Sequence, residues 1–164
     1  MIRLQLRVPA RHRPMHERSK VVRLRSAVPA DVEVVLWLEE VCMKAYAEAL
    51  WGNWHASATS EALDISIHEM IVISDKTVGC IATRSLPDSL NLAKLYLSPE
   101  ARNQGIGASV LRQILARAGT TDRPVRLRVL TNNPAVRFYE RSGFQIEQRT
   151  SEHVYMVHEK SSQN

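Results

Sequence analysis

The segment Leu95-Tyr-Leu-Ser-Pro-Glu-Ala-Arg-Asn-Gln-Gly-Ile-Gly107 narrows the folds open to this chain more than any other. An apolar run ends at Ser-Pro, two glycines follow, and from Ile106 the apolar positions 106, 110, 111, 114, 115 and 118 keep helical spacing up to Gly119. A strand that enters a short glycine loop and leaves as a helix aims successive backbone N–H groups at one point. The positive end of the helix is aimed at that point too, so the segment predicts an anion site suited to a pyrophosphate. Gly105 and Gly107 carry no Cβ, so phosphates can approach the backbone there. A phosphate loop of the Walker type needs Gly-Lys-Ser or Gly-Lys-Thr, and a dinucleotide fingerprint needs a third glycine. Neither is present, which disfavours a nucleoside triphosphatase or a dehydrogenase.

The flanking patterns supply the rest of the architecture. Val21 to Arg25 alternates apolar and basic residues as an edge strand, and Ser26 to Asp31 reads as a turn with Asp31 as helix N-cap. Val34, Val35, Leu38, Val41 and Cys42 form one apolar stripe, and a second helical stretch runs from Met43 to about Leu50 before Trp51-Gly-Asn-Trp54. Glu69–Ser74, a turn at Asp75-Lys76, and Val78–Arg84 make a hairpin, with Leu90–Leu97 as the third strand of an antiparallel meander. Beyond the helix from Ile106 come a strand at Val125–Leu130, a short helix from about Pro134 to Ser142, and strands at 144–147 and 154–158. The prediction is a mixed α/β fold with about seven mostly antiparallel strands and four helices.

Composition bounds what surrounds this domain. The chain has 164 residues, 45% hydrophobic and 24% charged, and no apolar run near the roughly 20 residues of a membrane span. Cys42 and Cys80 lie in apolar patterns without metal or disulfide spacing, so both are expected to be free thiols in a reducing cytoplasm, and no metal is expected. The net charge of +5 is local: six of the 22 basic residues and one of the 17 acidic residues precede Val21, leaving 16 of each. A nucleic-acid partner would rest on that segment alone. Residues 1–20 are therefore expected to be a disordered basic extension, 21–159 the folded domain and 160–164 a flexible tail.

Two elements in order carry a family resemblance. Arg102-x-x-Gly105-x-Gly107 after Leu-Tyr-Leu-Ser-Pro-Glu is similar to the acetyl-CoA pyrophosphate motif of the GNAT superfamily of N-acetyltransferases. Asn132-Asn-Pro-Ala-Val-Arg-Phe-Tyr-Glu-Arg-Ser-Gly-Phe144 is similar to that family's late asparagine, helix, tyrosine and Gly-Phe pattern. Leu24 to Asp31 resembles its first strand and turn, so the resemblance spans Val21 to Glu159. It implies the GNAT fold, with a splay between the strands at 92–97 and 125–130 that admits pantetheine.

The same resemblance implies roles. Arg102, Asn103, Gln104, Gly105, Ile106, Gly107 and Ala108 would hold the pyrophosphate of acetyl-CoA, and main-chain groups of Leu95 and Leu97 would pair with pantetheine. Asn132 would contact the cofactor, Arg137 its 3′-phosphate, and Tyr139 would be the general acid beside the sulfur. The implied reaction is acetyl transfer to a primary amine, preferably of a small molecule, with a protein or peptide acceptor or a CoA sensor without turnover as alternatives. Family members are often dimers, so a homodimer is compatible, though no residue marks its face.

The base and the acceptor site are less determined. The strand Leu90–Leu97 contains no acid, which leaves Glu69 and His68 as the nearest candidate bases, Glu69 first, with His153 and Tyr155 as further ones near the end of the chain. Trp51 and Trp54 are candidates for the wall of an acceptor cleft, with His153 and Tyr155 as further candidates on the last strand.

Overall fold

The computed structural model describes residues 21–159; the expectations for 1–20 and 160–164 lie outside the described residues. Seven strands form one sheet: β1 (Arg23–Ser26), β2 (His68–Ile73), β3 (Lys76–Ser85), β4 (Leu90–Leu97), β5 (Val125–Leu130), β6 (Gln145–Arg149) and β7 (His153–His158). Their order is β1-β2-β3-β4-β5-β7-β6, antiparallel throughout except for β4 beside β5. Three α-helices accompany them, α1 (Val32–Trp51), α2 (Ile106–Thr120) and α3 (Ala135–Arg141).

Three helices stand where four were expected, because α1 is a single helix of 20 residues. Nothing between Cys42 and Leu50 breaks it: the stretch holds neither glycine nor proline, and alanines dominate its second half. It stops at Gly52, whose φ of 78° closes the last turn. Asp31 does precede α1, but its carboxylate turns backward, taking two bonds from the Arg25 guanidinium (2.8 and 2.9 Å) and one from the Val28 N–H. The β2–β3 turn falls one residue earlier than expected. Ser74 and Asp75 are its central pair, both at positive φ (48° and 64°), the twist that suits a two-residue hairpin.

The sheet buries both faces. On one, α2 and α3 set Ile106, Val110, Leu111, Ile114, Val136 and Tyr139 against Ile71, Ile81, Leu127, Val129, Val154 and Met156. On the other, Val35 and Leu38 of α1 pack on Met70, Val72 and Cys80. Burial pushes the Cys80 thiol up to about 12, so it behaves as a small apolar side chain. Among the described residues no helix is long and apolar enough to cross a membrane.

Candidate active site

The site begins with a gap in the sheet. β4 and β5 share only Leu90↔Val125 and Asn91↔Arg126 and then part. One cause is visible in β4: against β3 the register passes from Lys94 to Leu92 while β3 advances one residue, leaving Ala93 as a bulge that bends the strand. Past the bulge, the Ser98 N–H bonds to the Val78 carbonyl on β3. By the alternation of an antiparallel ladder, the main-chain groups of Leu95 and Leu97 then face the gap. The expected splay is present, and its β4 edge carries donors and acceptors that β5 does not meet.

The glycine loop closes the head of this gap. Gly105 caps α2 at φ 76°, with nothing within 4 Å of where a Cβ would stand. Asn103 is also left-handed, at φ 58°. The first bond inside the helix is donated by the Ser109 N–H to Gly105, so the amides of Ile106, Gly107 and Ala108 point out of the helix end. A Cβ on Gly107 would lie 3.4 Å from the Phe138 ring and 3.7 Å from Leu97, which seats the helix start between α3 and β4. Outward-pointing amides at the start of a helix suit an anion.

Helix α1 crosses the gap and is tied to both sides. On the β4 side the Cys42 thiol donates to the Leu97 carbonyl (3.3 Å). Arg102 donates to the same carbonyl (3.2 Å) and reaches Val41 O and Cys42 Sγ. On the β5 side Asn132 donates to the Tyr46 carbonyl (2.9 Å). At the end of α1, Trp51 Nε1 donates to Glu152 (3.1 Å), and its ring lies 6.3 Å from that of His153. The loop that follows returns to β4, where Ser57 meets Glu39 and Lys94.

Tyr139 is buried between Phe138 and Phe144, with ring centroids at 5.1 and 5.5 Å. Burial drives its phenol far above the ordinary range, so it stays protonated at any physiological pH. Burial raises Tyr96 as well, with added contributions from Glu39, Cys80, Cys42 and Tyr139. Burial also raises the Cys42 thiol, against the pull of Arg102.

The structure assembles some candidates and separates others. His153 and Tyr155 stand together on β7, rings 6.0 Å apart, beside Trp51, while Trp54 is half-buried on the loop. Arg137 is exposed and lines a shallow groove with Asn132, Asn133 and Arg149. Glu69 lies on the α2 face, where Arg117 chelates both of its oxygens (2.6 and 3.0 Å). It is paired across β3 with Ile81, itself opposite Leu95, so about 10 Å of sheet separates it from the gap. His68 is sealed in the core with Nδ1 on the Asp64 carbonyl and, among the described residues, no partner for Nε2, and burial lowers its pKa.

Sequence reasoning passed over a buried ion pair. Glu39 accepts from Lys94 Nζ (2.8 Å), the Ser57 N–H (2.7 Å) and the Ser57 hydroxyl (2.8 Å). Burial alone would raise its pKa, but these donors together outweigh burial and lower it. The signal was there: Glu39 interrupts the apolar stripe of α1 between Leu38 and Cys42, and Lys94 interrupts the apolar strand β4. Two opposite charges that each break an apolar pattern are candidates to meet.

Residues 66–146, about half of the chain, match the family described as Acetyltransferase (GNAT) domain. The chain belongs to the GNAT superfamily. The matched GNAT segment holds the bulged β4, the glycine loop and Tyr139. Among solved structures, the PaiA N-acetyltransferase of Thermoplasma acidophilum, in complex with coenzyme A, superposes with a TM-score of 0.71. It is 17% identical, and the match covers 85% of this chain and 99% of that one. The ribosomal-protein-S18-alanine N-acetyltransferase of Escherichia coli gives 0.64 at 15% identity, over 88% and 98%. N-acetylglutamate synthase of Neisseria gonorrhoeae, complexed with coenzyme A and L-arginine, gives 0.63 at 23% identity, over 85% of this chain and 33% of that one. At these identities the likeness is one of fold. No curated protein matches the sequence.

Proposed function

We propose that this chain transfers the acetyl group of acetyl-CoA to the primary amine of a small molecule. The observation that carries the reading is the β4 edge at Leu95 and Leu97 that β5 leaves unpaired, leading to a helix N-terminus that fits a pyrophosphate. Acetyl-CoA bound there supplies an activated thioester whose carbonyl carbon an amine can attack. The Leu97 N–H faces the gap and donates to the oxygen of that carbonyl as it gains charge. A C–N bond forms, the C–S bond breaks, and the leaving sulfur takes its proton from Tyr139.

The attacking amine must shed a proton, and His153 is the group we assign to take it. It stands on the α1 face of the sheet with Trp51 and Tyr155. Burial and the positive charge of Arg128 lower its pKa against a smaller opposing effect of Glu152, so it is neutral near pH 7. The loop from Trp51 to Ser57 runs from a bond with Glu152 to bonds with Glu39 and Lys94 on this side, which favours a small acceptor over a folded protein. Two free thiols suit a reducing compartment such as the cytoplasm.

The test is calorimetric titration with acetyl-CoA and CoA, then a thiol-release assay over amines with Tyr139→Phe beside the wild type. We expect tight binding of acetyl-CoA by both proteins and a loss of about 10²–10⁴-fold in kcat for the variant. Absence of acetyl-CoA binding would sink the reading. Binding without turnover of any amine would replace it with a CoA sensor.

A further inference from the structure

The acceptor side of the gap has a charge pattern that points to a class of substrate. In β5 the side chains of Val125, Leu127 and Val129 face α2 and α3, so Arg126, Arg128 and Leu130 face the α1 side. Arg126 lies at the last pair shared with β4, and Arg128 comes two residues later, where the strands have parted. Across β7 its direct partner is Tyr155, and His153 is the partner of Leu130. The rings of Tyr155, His153 and Trp51 make a continuous wall beside it.

Three other charges on this face are answered within the protein. Lys94 is held by Glu39, Arg126 by Asp88 and Glu147, and Glu152 accepts from Trp51. Arg128 alone of these cations has no ion pair or hydrogen bond among the described residues, while its charge still acts on His153. An exposed, planar guanidinium opposite a tyrosine on the next strand, beside a row of aromatic rings, matches a carboxylate rather than a second amine.

We infer that the acceptor is an amine that also carries a carboxylate, with the carboxylate held by Arg128 and Tyr155 and the amine directed into the gap between β4 and β5. This rests on the acetyl-transfer reading and deepens it. A polyamine or other cationic acceptor would put its second charge against Arg128. A carboxylate instead neutralises it and fixes the amine on the side of His153.

The experiment is the thiol-release assay on the full chain with matched pairs of acceptors. One arm uses free glycine, L-aspartate and L-glutamate against their carboxamides. The other uses a C-terminally amidated hexapeptide with Asp in second position against the same peptide with Asn, which separates a free amino acid from an acidic peptide N-terminus. We expect the carboxylate form to exceed its amide by about 10- to 100-fold in kcat/KM, in one arm or both. Arg128→Gln should bring that ratio toward one, and Arg128→Lys should restore part of it. Calorimetry with acetyl-CoA on each protein separates the two levels of failure. If acetyl-CoA binds but carboxylates and amides turn over equally, or only cationic amines react, the inference is overturned and acetyl transfer stands. If acetyl-CoA does not bind, both fall.

Discussion

Replacing Glu39 should destabilise this domain more than any loss of a single surface contact, and the structure sets the size of the effect. The carboxylate side chain is 4% exposed and the Lys94 side chain 11%, so both charges are largely withdrawn from bulk water. Glu39→Ala leaves the ammonium of Lys94 with only the Ser57 hydroxyl at 3.2 Å. An uncompensated buried charge of this kind costs about 3–5 kcal/mol. In a domain of this size, that loss corresponds to a fall of roughly 6–20 °C in Tm. Lys94→Met should lose a similar amount at neutral pH. The double variant Glu39→Leu, Lys94→Met should return to within about 1–2 kcal/mol of the wild type, since apolar side chains of like volume replace a buried pair with little loss. Ser57 is exposed, so its N–H can turn to water. Urea denaturation of the four proteins reads the cycle. The sign with pH follows from the lowered pKa of Glu39. Its contribution is complete above the ordinary carboxylate range and is lost as pH falls through the lowered folded value. In Lys94→Met the chief charge that lowers it is gone, so the penalty should shrink on acidification. A Glu39→Ala protein within 1 kcal/mol of wild type, or a double variant that loses the sum of the singles, would refute the buried-pair reasoning.

Three further outcomes are expected. Gly105→Ala meets no steric obstacle but must hold φ 76°, which costs about 1–2 kcal/mol and turns the loop amides, so acetyl-CoA affinity should fall with Tm; unchanged values of both would remove Gly105 from the cradle. Glu69→Gln should lower stability by no more than about 1 kcal/mol, since its pair with Arg117 is partly exposed, and should keep turnover; a loss of 100-fold or more in kcat would make Glu69 the base despite its distance from the gap. The acid limb of kcat/KM should inflect below 6.5, the ordinary histidine value, because burial and Arg128 disfavour His153 in its charged form; Arg128→Gln should move the inflection upward, and a limb that survives in His153→Gln would dismiss this assignment.

What could be read from the chain depended on how far apart the cooperating residues lie. The glycine loop is a local object: thirteen consecutive residues carry the strand, the left-handed turn and the helix start. Its geometry followed from spacing alone. The late helix with Tyr139 was legible for the same reason, as was the meander. The two early helices merged because a helix is interrupted only by a residue that opposes it, and between Cys42 and Gly52 there is none.

The acceptor side is built differently. Glu39 and Lys94 are 55 positions apart and meet only once α1 lies on the sheet. Glu69 was a reasonable base while only its neighbours in sequence were known. Its real partner, Arg117, is 48 positions away on the opposite face from α1. Arg128 reads in the sequence as one of two arginines alternating with apolar residues in an ordinary strand. It differs from Arg126 only because the strands separate between them, and that separation accompanies a bulge at Ala93, a residue with no signature for it. Phosphate-binding chemistry resides in backbone geometry, which short motifs encode. The proposed choice of acceptor rests instead on side chains brought together by register, so for this chain it is the assay on Arg128, more than any motif, that tests what an acetyl group would be transferred to.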